Sequence, residues 1–193
     1  SNTLRHALVV CGNNWTHFVD YHEPVSLAAS DGAGAVVLGY SSNPRHFRLI
    51  DWDNETQSRW YGAFRMVPRP AAEHGQFTKP LMKLDDKTGQ EAFKQFGLKA
   101  PGPLVQRLLS RHGLTGQDIT LIAHQTSKMV QDAWQEAIQP RRYISTLEEF
   151  GDMVSSSVPV NLAKCHAEIH TNHLVLLGIG MEMHATALLL ERS

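Results

Sequence analysis

Residues 30–40 read Ser-Asp-Gly-Ala-Gly-Ala-Val-Val-Leu-Gly-Tyr, a tight turn that leads into an apolar strand. Gly32, Ala33 and Gly34 stand at the start of this strand, where small residues allow neighbouring backbones to approach closely. A dinucleotide-binding fingerprint would need a third glycine where this chain has Val37, and a helix rather than a strand after it. The stretch therefore predicts a strand packed closely on another element, and no dinucleotide site.

The segments on either side of this stretch contain two further strands and one long irregular region. Residues 4–11 are apolar and are followed by a Gly-Asn-Asn turn, and residues 47–52 predict a third strand. Residues 53–87 contain three prolines and no regular spacing of apolar residues, so we predict a long loop. Loops of this length are usually functional or lie at an interface.

Helices and strands alternate through the C-terminal two-thirds of the chain. Apolar residues recur at helical spacing in residues 88–96, 104–112, 127–138 and 158–170, with an interruption at residues 101–103. Short apolar strands are predicted at residues 118–123, 143–147, 174–179 and 185–190. The alternation predicts an α/β domain with a mixed sheet buried on both faces.

Composition excludes several classes of protein. The 193 residues carry 18 basic and 19 acidic side chains, so no basic excess predicts nucleic-acid binding. The longest apolar stretch, residues 174–181, is far shorter than the roughly 20 residues of a membrane span, and we expect no membrane association. No signal peptide is recognisable, and two cysteines do not make a disulfide framework. We therefore expect a cytoplasmic protein.

Four segments in order resemble the ketoacyl-ACP synthase III group of the thiolase superfamily. Residues 31–38 are similar to the family's D-G-A-G-A-V-V-L, and residues 124–127, His-Gln-Thr-Ser, to its H-Q-A-N. Residues 151–159, Gly-Asp-Met-Val-Ser-Ser-Ser-Val-Pro, are similar to G-N-T-S-A-A-S-I-P, and residues 178–188 to a degraded G-F-G-x-G-x-T-W-G-A-A. The resemblance implies a thiolase-like α/β fold in which residues 1–193 form a single C-terminal domain. Residues 1–40 would be the last strands of a missing N-terminal half.

The resemblance also implies an activity and a missing part. Family members are longer, and their nucleophilic cysteine lies in the first half, so we expect it outside this chain. The chain would be an excised C-terminal part or a natural half. The implied function is thioester-dependent condensation of an acyl-CoA or acyl-ACP with a second acyl carrier substrate in fatty acid or polyketide biosynthesis. No cofactor or metal is implied, and the expected partner protein is a second copy or the missing half.

The motif match assigns site residues. His124 takes the position of the catalytic histidine, and the backbone of Gly180 and Met181 would line the oxyanion site. The position of the second catalytic residue, an asparagine in the family, holds Asp152. An ionised aspartate only accepts hydrogen bonds and would repel an enolate, but it could fix the tautomer of His124 and stabilise its imidazolium.

Two alternatives to condensation therefore stay open. A Cys-His-Asp triad would suit acyl transfer to an oxygen or nitrogen acceptor. A non-catalytic subunit of a heteromeric synthase would fit Glu182, which replaces a turn glycine of the family motif.

The remaining cysteines and histidines have simpler interpretations. Cys11 ends a strand and Cys165 lies within a predicted helix, so we expect both thiols to be structural and inert. His166 and His170 would share one helix face next to His173, which makes a zinc site conceivable. No cysteine or second carboxylate completes that set, and we predict no metal site.

Overall fold

The computed structural model describes residues 5–68, 80–84 and 87–193. Its strands are β1 (His6–Asn13), β2 (Gly32–Gly39), β3 (Phe47–Thr56), β4 (Phe64–Val67), β5 (Leu81–Leu84), β6 (Ile119–Ala123), β7 (Arg142–Ile144), β8 (His173–Gly180) and β9 (His184–Arg192). Its α-helices are α1 (Thr88–Ala92), α2 (Pro101–Ser110), α3 (Lys128–Ile138), α4 (Leu147–Phe150) and α5 (Ser157–Lys164). A π-helical turn, Phe93–Gly97, continues α1.

A five-stranded mixed sheet forms the centre of the fold, in the order β3-β9-β8-β6-β7. Strand β6 runs parallel to β7 and β8, whereas β9 pairs antiparallel with β8 and β3. Leu121 of β6 packs in the same cluster as residues of α2 and α3, and the neighbouring Ile122 packs near α5. Adjacent side chains of a strand point to opposite faces, so helices cover both sides of the sheet. The predicted α/β architecture, with a mixed sheet covered by helices, is confirmed.

Strands β1 and β2 form a separate antiparallel pair that rests on the start of α5. A Cβ atom on Gly34 would lie 2.8 Å from the Cβ of Pro159, closer than real side chains approach. Ser156 donates its hydroxyl to the carbonyl of Gly32 at 2.7 Å. The small residues of β2 are therefore needed because this strand lies directly on α5, as the sequence predicts.

The prediction of a long loop over residues 53–87 is wrong wherever the structure describes these residues. Strand β3 continues to Thr56, and β4 pairs antiparallel with β5. Residues 69–79 and 85–86 of the predicted loop lie outside the described residues. The end of β3 was placed too early because its acidic residues are typical of a loop. They remain in the strand because they pair with Arg107 and Arg111 of α2.

Three other boundaries differ from the sequence prediction. Pro101 begins α2 instead of interrupting a helix, because a first-turn proline lacks only an N–H group that the helix would not use. The strand predicted for residues 143–147 ends at Ile144, and α4 follows. The helix predicted to reach residue 170 ends at Lys164, so His166 and His170 do not share one helix.

The described residues contain no cluster of three or more His, Cys, Asp or Glu side chains that could hold a metal ion. Within the same part of the chain, no helix is both long enough and apolar enough to cross a membrane.

Candidate active site

His124 lies immediately after the C-terminal end of β6. Its backbone N–H donates to the carbonyl of Leu177 at 2.8 Å, which extends the parallel pairing with β8 by one residue. Ser127 then caps α3 by accepting from the N–H of Val130 at 3.4 Å. His124 is thus held between a buried strand and a capped helix, and only 11% of its side chain is exposed.

Asp152 lies in the loop between α4 and α5, which docks on residues 28–30. Gly151 makes this possible because its φ is +73°, and a Cβ there would meet the carbonyl of Ala28 at 2.7 Å. The N–H of Asp152 donates to that same carbonyl at 2.7 Å. Its own carbonyl accepts from Ser30 at 3.0 Å and from the Trp15 indole at 2.9 Å. These contacts fix the backbone of the loop on both sides of the aspartate.

The side chains of His124 and Asp152 face each other, with Nε2 of the imidazole 3.9 Å from Oδ1 of the carboxyl. This separation is longer than a hydrogen bond. Nδ1 of His124 donates to the carbonyl of Val154 at 3.1 Å, which leaves Nε2 without a proton in the neutral ring. The expectation that Asp152 fixes the tautomer differs from the structure, because the Val154 carbonyl takes that position.

Val154 contacts both site residues through its backbone. Its N–H donates to Oδ1 of Asp152 at 2.8 Å, and its carbonyl accepts from His124. Its φ is +47°, a left-handed conformation that a β-branched residue rarely adopts. Such strain persists only where the surroundings enforce it, and here it places one backbone donor and one acceptor toward the pair.

Burial changes the proton affinity of both groups. Desolvation lowers the pKa of His124 to about 4, against the opposing hydrogen bond to the Val154 carbonyl. Desolvation raises the pKa of Asp152 to about 7, although the N–H of Val154 favours the carboxylate. At neutral pH the imidazole is therefore uncharged, and the carboxyl of Asp152 is close to half protonated. The permanently ionised aspartate assumed from the sequence is replaced by a group that can also donate.

Gln125 is a buried residue of this site that the sequence analysis did not single out. Its Nε2 donates to the carbonyl of Gly151 at 3.0 Å, and its Oε1 accepts from the N–H of Thr146 at 2.8 Å. Asn161 of α5 also donates to Oε1. The available signal was an amide side chain two residues after a buried strand, within the His-Gln-Thr-Ser segment.

Gly180 and Met181 lie at the far end of β8. Gly180 is three residues beyond Leu177, so about 10 Å of strand separates it from the level of His124. Met181 is 46% exposed in the following turn. Among the hydrogen bonds of the described residues, none joins this turn to His124 or Asp152. The adjacent Glu182 instead accepts from the N–H of Gly62 at 3.0 Å.

Neither cysteine contacts the pair through a hydrogen bond within the described part of the chain. Cys165 is buried in the sheet–α5 layer, where desolvation raises the pKa of its thiol. Cys11 is half-buried in β1, which belongs to a two-stranded sheet. Among the described residues, the pair thus offers a proton acceptor and a titrating carboxyl, and no thiol is hydrogen-bonded to either group.

Models of one enzyme family match two separate parts of the chain. Residues 1–58 match 3-oxoacyl-[acyl-carrier-protein] synthase III, and residues 109–192 match the C-terminal domain of the same family. The chain is 25% identical over 170 residues to beta-ketoacyl-[acyl-carrier-protein] synthase III of Microcystis aeruginosa, covering 84% of this chain and 50% of that protein. It is 26% identical to the enzyme of the same name from Sodalis glossinidius, with coverage of 92% and 55%. The chain therefore spans about half the length of these curated relatives.

Solved structures agree on the fold. The 3-oxoacyl-(acyl carrier protein) synthase III of Pseudomonas aeruginosa PAO1 superposes with a TM-score of 0.78 at 24% identity, over 97% of this chain and 58% of that one. The priming beta-ketosynthase of the R1128 polyketide pathway gives 0.78 at 22% identity, over 98% and 58%. These likenesses show the thiolase-like fold, and the two family models, which together match most of the chain, place it in the 3-oxoacyl-ACP synthase III family.

Proposed function

We propose that this chain supplies the histidine and aspartate of a thioester-dependent 3-oxoacyl-ACP synthase III-type acyltransferase. The observation that carries the proposal is the pairing of His124 with Asp152. Their side chains are almost completely buried and lie 3.9 Å apart at the C-terminal end of β6. Residues that leave the ends of buried parallel strands are frequent sites of chemistry.

A cysteine outside this chain would form the acyl thioester in the first half-reaction. In the second, a malonyl-type thioester loses carbon dioxide, and the released electron pair forms an enolate. The enolate carbon attacks the cysteine-bound acyl group, a carbon–carbon bond forms, and the acyl carbon–sulfur bond breaks to release the cysteine thiolate. The neutral carboxyl of Asp152 can donate a hydrogen bond to the enolate oxygen, whereas the carboxylate would repel it. Burial of Asp152, which keeps it partly protonated near pH 7, supports this role.

A second function, acyl transfer to an alcohol, amine or thiol, is favoured by one specific observation. Nδ1 of His124 donates to the Val154 carbonyl, so Nε2 of the neutral ring carries a lone pair. That lone pair suits the removal of a proton from an incoming acceptor. To donate to an enolate in the condensing reaction, the ring would have to carry its proton on Nε2 instead, which is why the Nδ1–H tautomer favours acyl transfer.

We propose that the working assembly contains a second polypeptide segment over β1 and β2, in the cytoplasm, with an acyl-CoA or acyl carrier protein as substrate. The side chains of Leu8, Val10 and Val37 on these strands are each more than 60% exposed. Apolar surface of this kind is typical of an interface. A second copy of the chain and an N-terminal half of the family fold are the two occupants that this surface would suit.

The test uses the protein expressed from its complete reading frame, incubated with acyl thioesters and then with a malonyl thioester. Intact mass reports acylation, and carbon dioxide release reports condensation. We expect an acyl adduct and carbon dioxide release, loss of release in His124→Ala, and retained release in Asp152→Asn. His166→Ala, at an exposed position, is the matched control. Acyl transfer to an alcohol or amine without carbon dioxide would support the second function, and failure to form any adduct would overturn both.

A further inference from the structure

Gln125 connects the two segments that carry the candidate site. The residue follows His124, is fully buried, and donates Nε2 to the carbonyl of Gly151, the residue before Asp152. One side-chain hydrogen bond of 3.0 Å therefore joins the residue after the histidine to the residue before the aspartate.

The oxygen of the same amide also has hydrogen-bond partners. Oε1 of Gln125 accepts from the N–H of Thr146 at 2.8 Å and from its hydroxyl at 3.2 Å, and also from Asn161. Thr146 immediately precedes α4, and Asn161 lies on α5, so the amide contacts the elements on both sides of the 151–154 loop. Only a side chain with a donor and an acceptor at its tip can satisfy both ends.

We propose that Gln125 is a positioning residue that holds the 151–154 loop at the distance where Val154 and Asp152 contact His124. The inference rests on the proposed function for its relevance to turnover. Gln125 itself does not reach the face of the pair, because both of its polar atoms are already bound to Gly151, Thr146 and Asn161. Its effect is exerted through the Gly151 carbonyl on the residues that follow.

The experiment measures the tautomer of His124 and the titration of Asp152 by NMR on the isotopically labelled 193-residue chain, without any substrate. Ring ¹⁵N shifts distinguish a proton on Nδ1 from one on Nε2, and the ¹³C shift of the carboxyl follows its ionisation. Gln125→Met removes both hydrogen-bonding functions. Gln125→Asn keeps an amide that is one methylene shorter and cannot span Thr146 and Gly151 together. Thr120→Val is the control, since Thr120 is buried in β6 but its hydroxyl bonds to that of Thr171 at 2.8 Å, away from residues 151–154.

In the wild type and in Thr120→Val we expect the Nδ1–H tautomer. In both Gln125 variants we expect the Nε2–H population to rise about tenfold, the effect of losing roughly one hydrogen bond. The titration midpoint of Asp152 should fall by about one pH unit as water enters the released loop. Circular dichroism and thermal unfolding show that each variant is folded at the temperature of the measurement.

Folded Gln125 variants with the wild-type tautomer and carboxyl titration would overturn the inference. Loss of the folded state in both variants would also overturn it, because the amide would then serve folding rather than the site. The readouts need no turnover, so an inactive full-length protein whose His124 tautomer still responds to Gln125 would contradict the proposed function and leave this inference standing.

Discussion

His124 and Asp152 face each other at 3.9 Å without a direct hydrogen bond, and each is bonded instead to the backbone of Val154. The imidazole donates to the Val154 carbonyl, and the carboxyl accepts from the Val154 N–H. The gap between Nε2 and Oδ1 is therefore bordered by a lone pair and a carboxyl whose protonation changes near pH 7. This arrangement leads to predictions on titration, stability and packing.

The two groups should titrate in the reverse of their usual order. We expect the His124 ring to stay neutral down to about pH 4 and the Asp152 carboxyl to titrate near pH 7, because both are buried away from water. ¹⁵N and ¹³C NMR titration of the labelled chain measures both midpoints. An imidazole that protonates near pH 6.5 beside a carboxyl that ionises near pH 4 would contradict the buried geometry.

Replacing the buried carboxyl should stabilise the protein in a pH-dependent way. The pKa of Asp152 is higher in the folded state than in the unfolded chain, so its contribution to stability falls as pH rises from about 4 to about 7. The lowered pKa of His124 acts in the opposite sense, because its contribution is lost as pH falls from about 6.5 to about 4. Asp152→Asn removes only the first effect.

Asp152→Asn should therefore have the same free energy of unfolding as the wild type at pH 4. As pH rises it should become more stable than the wild type, by roughly 2–4 kcal/mol above pH 7. Urea unfolding at several pH values measures this difference. Asp132→Asn, an exposed carboxylate on α3, is the control and should change the free energy of unfolding by about 0.5 kcal/mol or less. A pH-independent effect of Asp152→Asn would show that the carboxyl has an ordinary pKa.

The contact of β2 with α5 predicts a large difference between two glycine substitutions. Gly34→Ala would place Cβ 2.8 Å from Pro159, and we expect a loss of about 1–3 kcal/mol from overpacking. Gly178→Ala in β8 is the matched control, because a Cβ there has no neighbour within 4 Å among the described residues. Thermal unfolding of both variants gives the comparison. Equal stabilities would mean that β2 does not rest on α5.

The ion-pair cluster between β3 and α2 should respond to acid and salt. Arg111 contacts Asp51 at 3.0 Å, Asp53 at 2.7 Å and the Trp52 carbonyl at 3.1 Å. The hydrogen bond from His112, and then those from Arg111, lower the pKa of Asp51 to about 2. Because this pKa is lowered on folding, the stabilisation is complete above about pH 4 and is lost as pH falls toward 2.

Arg111→Lys should destabilise the chain at pH 7, because an ammonium group cannot reproduce the forked contacts of a guanidinium. The loss of stability relative to the wild type should shrink toward pH 2, where the carboxylates become protonated. It should also shrink in about 1 M salt, where these partly exposed charges are screened. Arg48→Lys, at the exposed pair with Glu191, should have a smaller effect. Unfolding curves at two pH values and two salt concentrations test this prediction. A loss of stability that is insensitive to both would contradict an electrostatic origin of the effect.

The parts of the fold that the sequence predicted correctly are those where segments pack closely. Short sequence patterns mark the small residues of β2, the strand before His124 and the turn at Gly151, because close approach of another segment admits only small residues and a buried strand only apolar or small ones. The length of strand β3 was underestimated because its acidic residues are typical of a loop. Only the tertiary structure places Arg107 and Arg111 beside them. Pairing across 54 or more residues has no local pattern to reveal it.

The sequence by itself determined the α/β class, the mixed sheet, the family and the identity of His124 and Asp152 as paired candidates. Only the tertiary structure decided their chemistry. Burial sets the proton affinities of both groups, and the left-handed backbone of Val154 sets the tautomer of the histidine. Both depend on how residues 151–154 dock against β6 and residues 28–30, and neither desolvation nor a strained φ at a valine is encoded in a short sequence pattern.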